Sequence, residues 1–167
     1  MSRHLFNTDK IRYVKGEKPG LPCILCAIRD RDQRVESLEI ARLEGFIVSV
    51  NLFPFNTGHL LVFPERHINS VAEYSDTEAL DLHRITKSLV GIIQNEFSPS
   101  GFNIGYNMGD YSGASIEHLH LHIVPRYRNE SGFLDVISGT KVVVTDPVRV
   151  MEKIRERMLD VQDNPSD

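Results

Sequence analysis

The fold is decided by one stretch of the chain, Ser115-Ile116-Glu117-His118-Leu119-His120-Leu121-His122-Ile123-Val124-Pro125-Arg126. Polar and apolar residues alternate here, and this period of two predicts a β-strand whose successive side chains point to opposite faces. We therefore predict that His118, His120 and His122 share one face, with neighbouring imidazoles roughly 7 Å apart. The residues between them should fill the core on the other face: Leu119, Leu121 and Ile123.

A row of three imidazoles has more than one interpretation. The chain has 7 histidines in 167 residues, so this pattern arises by chance in about 1% of such sequences. A polar, solvent-exposed face is one explanation, and a three-ligand Zn²⁺ site on alternate strand residues is another. Imidazole also serves as an acid, a base or a nucleophile. The pattern favours a functional site and leaves the metal-only alternative open.

Strand-like runs dominate the chain before this stretch. Residues 38–43 and 46–50 flank the turn pair Glu44-Gly45, which predicts a β-hairpin. Further strands are predicted at 59–63 and 102–106, where apolar residues again lie between turn residues.

Two helices are marked by their N-terminal sequences. Ser75 and Glu78 form a capping box, after which apolar residues recur at helical spacing: Leu82, Ile85, Leu89, Ile92, Ile93 and Phe97. Asp146 followed by Pro147 predicts the start of a second helix, with this buried stripe: Val150, Ile154, Met158 and Val161. These elements predict an α+β fold, an antiparallel meander sheet with one long central helix and a C-terminal helix.

Length and composition indicate one globular domain. We predict an N-terminal arm at 1–20, a single domain at 21–162 and a frayed tail at 163–167. The net charge of -4 argues against a large basic surface for nucleic acid. The chain shows no apolar run long enough to span a membrane and no signal-peptide pattern, so we expect a cytoplasmic protein without a membrane partner.

The two cysteines, Cys23 and Cys26, form one C-x-x-C pair. This spacing suits half of a metal site or a redox pair. The sequence around the pair lacks the βαβ setting of a thioredoxin-like motif. A metal site and two reduced, partly buried thiols both remain interpretations of the pair.

The run His118-Leu119-His120-Leu121-His122-Ile123-Val124 resembles the signature of the histidine triad family at every position. The resemblance extends to Asn51, to residues 54–67, and to residues 101–107 and 113–115. It covers the chain from about Cys23 to Tyr127, and it implies the HIT-type version of the α+β fold.

The resemblance implies a set of roles around a phosphate. His120 corresponds to the nucleophile that attacks the α-phosphorus, and His122 to the residue that bonds the phosphate and assists the leaving group. Ser115 corresponds to a residue that contacts phosphate oxygens and joins the catalytic set. The implied nucleotide-binding residues are Asn51 at the ribose, His59, Asn107, Gly113, Ala114, Ser115 and His122.

The resemblance also implies a structural zinc ion and a homodimer. In many triad proteins the C-x-x-C pair joins two histidines in a Cys₂His₂ site, and the matching residues here are Cys23, Cys26, His67 and His118. Relatives are usually homodimers in which the long helix and a strand edge pair across a two-fold axis. The stripe of residues 82–97 serves either that interface or the core of one chain.

Within the family, the chain looks closest to the bacterial diadenosine tetraphosphate phosphorylases or hydrolases. It contains no tryptophan, whereas the nucleoside phosphoramidase branch tends to carry one near its C-terminus. We expect cleavage of dinucleoside polyphosphates by water or by phosphate, and Arg126, Arg128 or Lys141 could bind the phosphate. The alternatives are a nucleoside phosphoramidase or adenylyl-conjugate hydrolase, a nucleotide-binding regulatory protein, and a zinc protein whose histidines are ligands only. The candidate apolar walls of the base slot are Ile24, Phe46, Leu52 and Phe53, and packing in the core explains these residues equally well.

Overall fold

The computed structural model describes residues 20–113, 115–128 and 145–163. Residues 1–19 of the predicted arm and 164–167 of the predicted tail lie outside this part. The described elements, in chain order, are α1 (Ile24–Arg29), β1 (Glu39–Leu43), β2 (Phe46–Val50), β3 (Leu60–Pro64), a 3₁₀ turn (Val71–Glu73), α2 (Asp76–Phe97), β4 (Gly101–Tyr106), β5 (Leu121–Arg126) and α3 (Pro147–Asp163).

The five strands form one antiparallel sheet in the order β1-β2-β3-β5-β4, which confirms the α+β class. The first three strands are a meander, as predicted. Helix α2 then carries the chain to the opposite edge, where β4 forms, and β5 returns between β4 and β3. The strand that carries His122 is therefore internal, and β1 and β4 are the edges of the sheet formed by the described strands.

The predicted hairpin joins β1 to β2 through a two-residue turn. Glu44 and Gly45 both have positive φ angles, 48° and 77°. This is the backbone of a type I′ turn, whose twist matches that of the flanking strands. Leu43 consequently pairs directly with Phe46.

Both helix predictions are confirmed at their N-termini. Ser75 caps α2 in a complete capping box with Glu78, and the side chain of Asp146 accepts a hydrogen bond from the N–H of Val148 at the start of α3. The predicted α2 stripe is buried in the core of one chain, against strand residues and α3: Leu82, Ile85, Leu89, Ile92 and Ile93. On α3, Val150, Ile154 and Met158 join the same core, while the side chain of Val161 lies outside the described part.

The sheet has two differently covered faces. Leu60 and Val62 of β3 point to the face packed by α2 and α3. Leu61 and Phe63 point to the opposite face, where they meet Leu25 of α1. No helix among residues 20–113, 115–128 and 145–163 is long and apolar enough to cross a membrane.

One strand prediction needs correction at its start. The strand β5 begins at Leu121, because β4 ends at Tyr106 and both neighbours pair with β5 only from Leu121 onward. The N–H of Leu119 donates instead to the carbonyl of Ile68, outside the sheet. Residues 118–120 therefore approach the sheet as an extended segment without strand pairing, and Leu119 is buried there at 1% exposure.

Candidate active site

The three histidines lie on the α1 side of the sheet, but they enter different surroundings. His122 pairs with Leu61 in register and so shares its face. The ring centroids of His120 and His122 are 4.7 Å apart, closer than the rise of a regular strand predicts, because His120 precedes the paired part of β5. His118 and His120 are both buried.

The tautomer of His120 follows from one hydrogen bond. Its Nδ1 lies 2.8 Å from the carbonyl oxygen of His118. A carbonyl only accepts, so Nδ1 carries the proton and donates. In the neutral ring, Nε2 therefore keeps a free lone pair. His120 is also one of the residues that line the large cavity of this face.

A second chain of hydrogen bonds fixes His122. The backbone N–H of Phe55 donates to Nδ1 of His59 at 3.1 Å, so that ring carries its proton on Nε2. This Nε2 lies 3.0 Å from Nδ1 of His122, which therefore accepts. His122 then carries its own proton on Nε2, which is buried and has no hydrogen-bond partner among the described residues. A buried donor without a partner is costly, and it indicates a place for an acceptor atom of a ligand.

The environment keeps these rings neutral. Burial, and secondarily the charge of His120, lowers the pKa of His122 from 6.5 to about 4. Burial also lowers the pKa of His120, and the hydrogen bond to the His118 carbonyl opposes that shift. A neutral His120 at physiological pH keeps the lone pair that a nucleophile needs.

The cavity beside these rings has a volume of about 710 Å³, within the range of small-molecule sites. Part of its wall is apolar and comes largely from α1: Ile24, Leu25 and Ile28, with Leu52 and Phe53 from the segment after β2. The imidazoles of His120 and His122 form another part of the wall. An apolar slot next to a polar cluster suits a ligand with a flat apolar group and an anionic group.

Most of the predicted nucleotide-site residues meet at this cavity. Asn51, Asn107, Gly113 and Ser115 line it, together with His120 and His122. Gly113 has a φ of 80°, a conformation that glycine adopts without strain. Ala114 lies outside the described residues.

Two predicted site residues have positions that differ from the expectation. His59 is fully buried at 0% exposure and lies behind His122. Phe46 belongs to the core on the helix face, where it packs against Tyr74. Its prediction as a wall of the base slot is wrong, because β2 alternates and Phe46 points away from the cavity.

The charged residues at the cavity are not those that the sequence suggested. Arg34 and Glu36 line it, from the loop between α1 and β1. The guanidinium of Arg34 donates three hydrogen bonds to the Asp32 carboxylate, the shortest at 2.6 Å. Arg126 and Arg128 are exposed and are not among the described wall residues, and Lys141 lies outside the described part. No sequence pattern marks Arg34, since its place depends on how the loop folds back.

Cys23, Cys26, His67 and His118 form a second cluster next to this cavity. Their four ligand atoms all lie within 4.8 Å of one another. The two thiols are not joined in a disulfide. Nε2 of His118 lies 2.9 Å from the carbonyl of Pro64 and donates to it, so its Nδ1 is unprotonated, 3.5 Å from Sγ of Cys26. His67 places its Nδ1 at 3.2 Å from the same sulfur.

This donor set fits a tetrahedral metal ion. Two sulfurs and two imidazole nitrogens are the ligands of structural zinc sites. A backbone carbonyl that accepts from the far nitrogen of a ligating histidine is the usual outer support of such a ligand. The four predicted metal ligands are therefore brought together, and they leave His120 and His122 outside the cluster.

Comparison with known proteins identifies the family of the chain. A family model, the HIT domain, matches residues 32–129. The chain belongs to the HIT domain family. The matched region contains the triad, β1 to β5 and α2.

Two curated relatives of this HIT protein have catalytic names. An AP-4-A phosphorylase from Mycobacterium tuberculosis is 38% identical over 109 residues, which cover 65% of this chain and 56% of that one. A bis(5'-nucleosyl)-tetraphosphatase (asymmetrical) from Schizosaccharomyces pombe is 33% identical over 88 residues, which cover 53% of this chain and 48% of that one. The chain thus spans about half the length of these relatives.

A solved structure shows the same fold. The zinc-bound histidine triad family protein from Mycobacterium smegmatis superimposes with a TM-score of 0.69 at 21% identity, covering 85% of this chain and 96% of that one. At this identity the likeness concerns the fold alone.

Proposed function

We propose that this HIT protein cleaves dinucleoside polyphosphates, of the diadenosine tetraphosphate kind, through a nucleotidyl group bound covalently to His120. One observation carries the proposal. His120 donates from Nδ1 to the carbonyl of His118, so its Nε2 lone pair is available beside the unpartnered Nε2–H of His122. A nucleophile and a hydrogen-bond donor thus meet at one cavity.

In the first step, Nε2 of His120 forms a bond to the α-phosphorus. The bond from that phosphorus to the bridging oxygen breaks, and the oxygen leaves with the remaining nucleoside polyphosphate. The Nδ1–H of His120 stays bonded to the His118 carbonyl, which stabilises the positive charge that develops on the ring. His122 donates from Nε2 to a phosphate oxygen as negative charge grows there.

In the second step, water or inorganic phosphate attacks the nucleotidyl–His120 bond and frees Nε2. Water gives a nucleoside monophosphate, and phosphate gives a nucleoside diphosphate. Splitting one displacement into two such steps is the general advantage of a covalent intermediate. The relative named a phosphorylase supports phosphate as the acceptor, and the relative named a tetraphosphatase supports water.

We assign the nucleotide to the cavity in one orientation. The base lies in the apolar slot formed by α1 and the segment after β2, and the α-phosphate lies at His120. Asn51 contacts the ribose, while Asn107, Gly113 and Ser115 contact phosphate oxygens. His59 acts behind the wall, by orienting His122.

We also propose that the chain binds one structural Zn²⁺ through Cys23, Cys26, His67 and His118. The donor set and the carbonyl support of His118 favour it. When bound, this ion supplies fold stability rather than chemistry, because four protein ligands leave no open position.

One incubation tests the activity. The purified chain is mixed with diadenosine tetraphosphate, with and without inorganic phosphate, and the nucleotides are separated. ADP with ATP indicates phosphorolysis, and AMP with ATP indicates hydrolysis. If diadenosine tetraphosphate is not cleaved but adenosine phosphoramidate is, the assignment would move to a nucleoside phosphoramidase. Binding of AMP without turnover of either substrate would leave only a nucleotide-binding protein.

A further inference from the structure

We infer that Cys23 and Cys26 are positioning residues of the nucleotide cavity, so that zinc binding and nucleotide binding strengthen each other. The inference rests on the proposed function, because it uses the cavity and the metal ligands assigned there. Two separate connections between the clusters support it, one through α1 and one through His118.

The first connection is the helix α1 itself. Cys23 is its N-cap, with Sγ accepting from the N–H of Cys26 at 3.4 Å. Three other residues of this helix form part of the apolar wall of the cavity: Ile24, Leu25 and Ile28. The thiols and the proposed base slot therefore belong to one short rigid element, and whatever fixes the thiols also fixes the slot.

Among the described residues, few other contacts hold this helix, and one of them is a hydrogen bond of 2.8 Å from Arg42 to the carbonyl of Arg29. It is only 6 residues long, and isolated helices of that length are unstable in water. Its buried packing comes mainly from Leu25 in a small cluster with Ile47, Leu61 and Phe63. Arg29 adds a hydrogen bond to the carbonyl of Glu65 at 2.9 Å. A four-ligand site would tie α1 to His67 and His118 on other segments, and such bonding contributes directly to folding free energy.

The second connection is His118, which touches both clusters. Its ring nitrogen Nδ1 faces the cysteine sulfurs, and its carbonyl accepts from Nδ1 of His120. Holding the ring of His118 therefore holds the oxygen that sets the tautomer of His120. The proposed base slot and the phosphate site are thus both attached to the metal ligands.

Coupling of this kind is reciprocal. If zinc raises the affinity for a nucleotide by some factor, the nucleotide raises the affinity for zinc by the same factor. We expect a factor between about 5 and 150, the usual range for two coupled sites.

The experiment measures binding on the full chain and does not depend on turnover. Isothermal titration gives the Kd of AMP for the zinc-loaded chain and for the chain stripped by a chelator, with circular dichroism to compare their folding. Competition with a chromophoric chelator gives the Kd of zinc with and without saturating AMP. We expect both constants to change by the same factor, at least about fivefold.

If the chain unfolds when the chelator removes zinc, a variant tests the coupling instead. Ile28→Ala retains all four ligands, so it should bind zinc normally in the absence of AMP. It should bind AMP more weakly and show a smaller effect of AMP on the Kd of zinc. Leu159→Ala, at an exposed position on α3, is the matched control and should behave as the wild type.

The outcomes separate this inference from the proposed function. Equal AMP affinity with and without zinc, and equal zinc affinity with and without AMP, would overturn the coupling while AMP binding remained. Absence of zinc binding would overturn the coupling as well. Absence of AMP binding in both forms would count against the proposed function and the coupling together.

Discussion

Nε2 of His59 lies 3.0 Å from Nδ1 of His122, and this contact gives the cavity a donor of fixed direction. The backbone N–H of Phe55 donates to Nδ1 of His59 and so places the proton of that buried ring on Nε2. The donation from this Nε2 in turn places the proton of His122 on its own Nε2. A side chain that never reaches the cavity wall thus determines what His122 can do there. A substitution of His59, behind the cavity wall, should therefore change kcat.

His59→Phe tests this relationship. Phenylalanine keeps a ring in the buried space but cannot donate to His122. Loss of one buried hydrogen bond costs about 1–3 kcal/mol, so kcat should fall about ten- to hundredfold. Steady-state kinetics measures the fall, and nitrogen NMR of the His122 ring should show that Nε2 no longer holds the proton alone.

The matched control for this variant is His83→Phe, at an exposed histidine on α2. It should keep the wild-type kcat. Wild-type kcat and an unchanged His122 tautomer in His59→Phe would show that the buried ring does not act through His122.

The free energy of unfolding should depend on pH between 6.5 and about 4. The pKa of His122 is about 4 in the folded chain, below the ordinary value of 6.5. Within this window the unfolded chain takes up a proton that the folded chain does not, so the folded state loses stability as the pH falls. For His122 alone the loss is up to about 3 kcal/mol.

Urea unfolding across this pH range measures the effect. His122→Asn should flatten the pH dependence in part, because His120 also has a lowered pKa. His83→Asn should leave the curve unchanged. A wild-type stability that stays constant from pH 6.5 to 4 would mean that these rings are not buried as described.

Substitutions of two exposed histidines, His67 and His83, should differ in their effect on the zinc content of the protein. His67→Asn removes one of the four proposed ligands, so we expect the zinc content of the purified protein to fall from about one ion per chain toward zero. The melting temperature should fall as well, since structural zinc stabilises the folded state. His83→Asn should retain zinc. Equal zinc content in both variants would exclude His67 as a ligand.

The edge strand β4 should carry the predicted dimer contact. It pairs with β5 on one side and forms an edge of the sheet, and Ile104 on it is 46% exposed. An edge strand that has no second partner among the described strands, and that carries an exposed apolar side chain, favours pairing with a second copy. Ile104→Lys should therefore shift the mass measured by light scattering from dimer to monomer, whereas Leu159→Lys on α3 should not. A wild-type mass equal to one chain would rule out the dimer.

Local sequence signals predicted the elements well. The capping box at Ser75 and the proline at Pro147 act within one turn of a helix, so their structural effect can be inferred without the rest of the fold. The hairpin at Glu44-Gly45 is of the same kind. The four predicted metal ligands lie close together, as the family resemblance implied, although they come from separate segments of the chain.

Features that depend on the packing of distant segments were not predictable. The start of β5 at Leu121 is set by where β3 and β4 stop pairing, and neither limit is visible in the alternation of residues 115–126. Phe46 was a candidate wall of the base slot, but the face of the sheet to which its side chain points depends on the register of β2. Arg34 and the contact between His59 and His122 arise from loops and from residues 63 positions apart, for which the sequence carries no local sign.

The mass of the protein during incubation with the substrate tests the covalent step most directly. The chain is mixed with diadenosine tetraphosphate for milliseconds, quenched in alkaline denaturant to preserve a phosphorus–nitrogen bond, and analysed by intact and peptide mass spectrometry. We expect an added adenylyl group on the peptide that contains His120, and no such group on the His120→Ala variant. An adenylyl group on another residue, or its absence from a chain that cleaves the substrate, would contradict the proposal that Nε2 of His120 is the nucleophile.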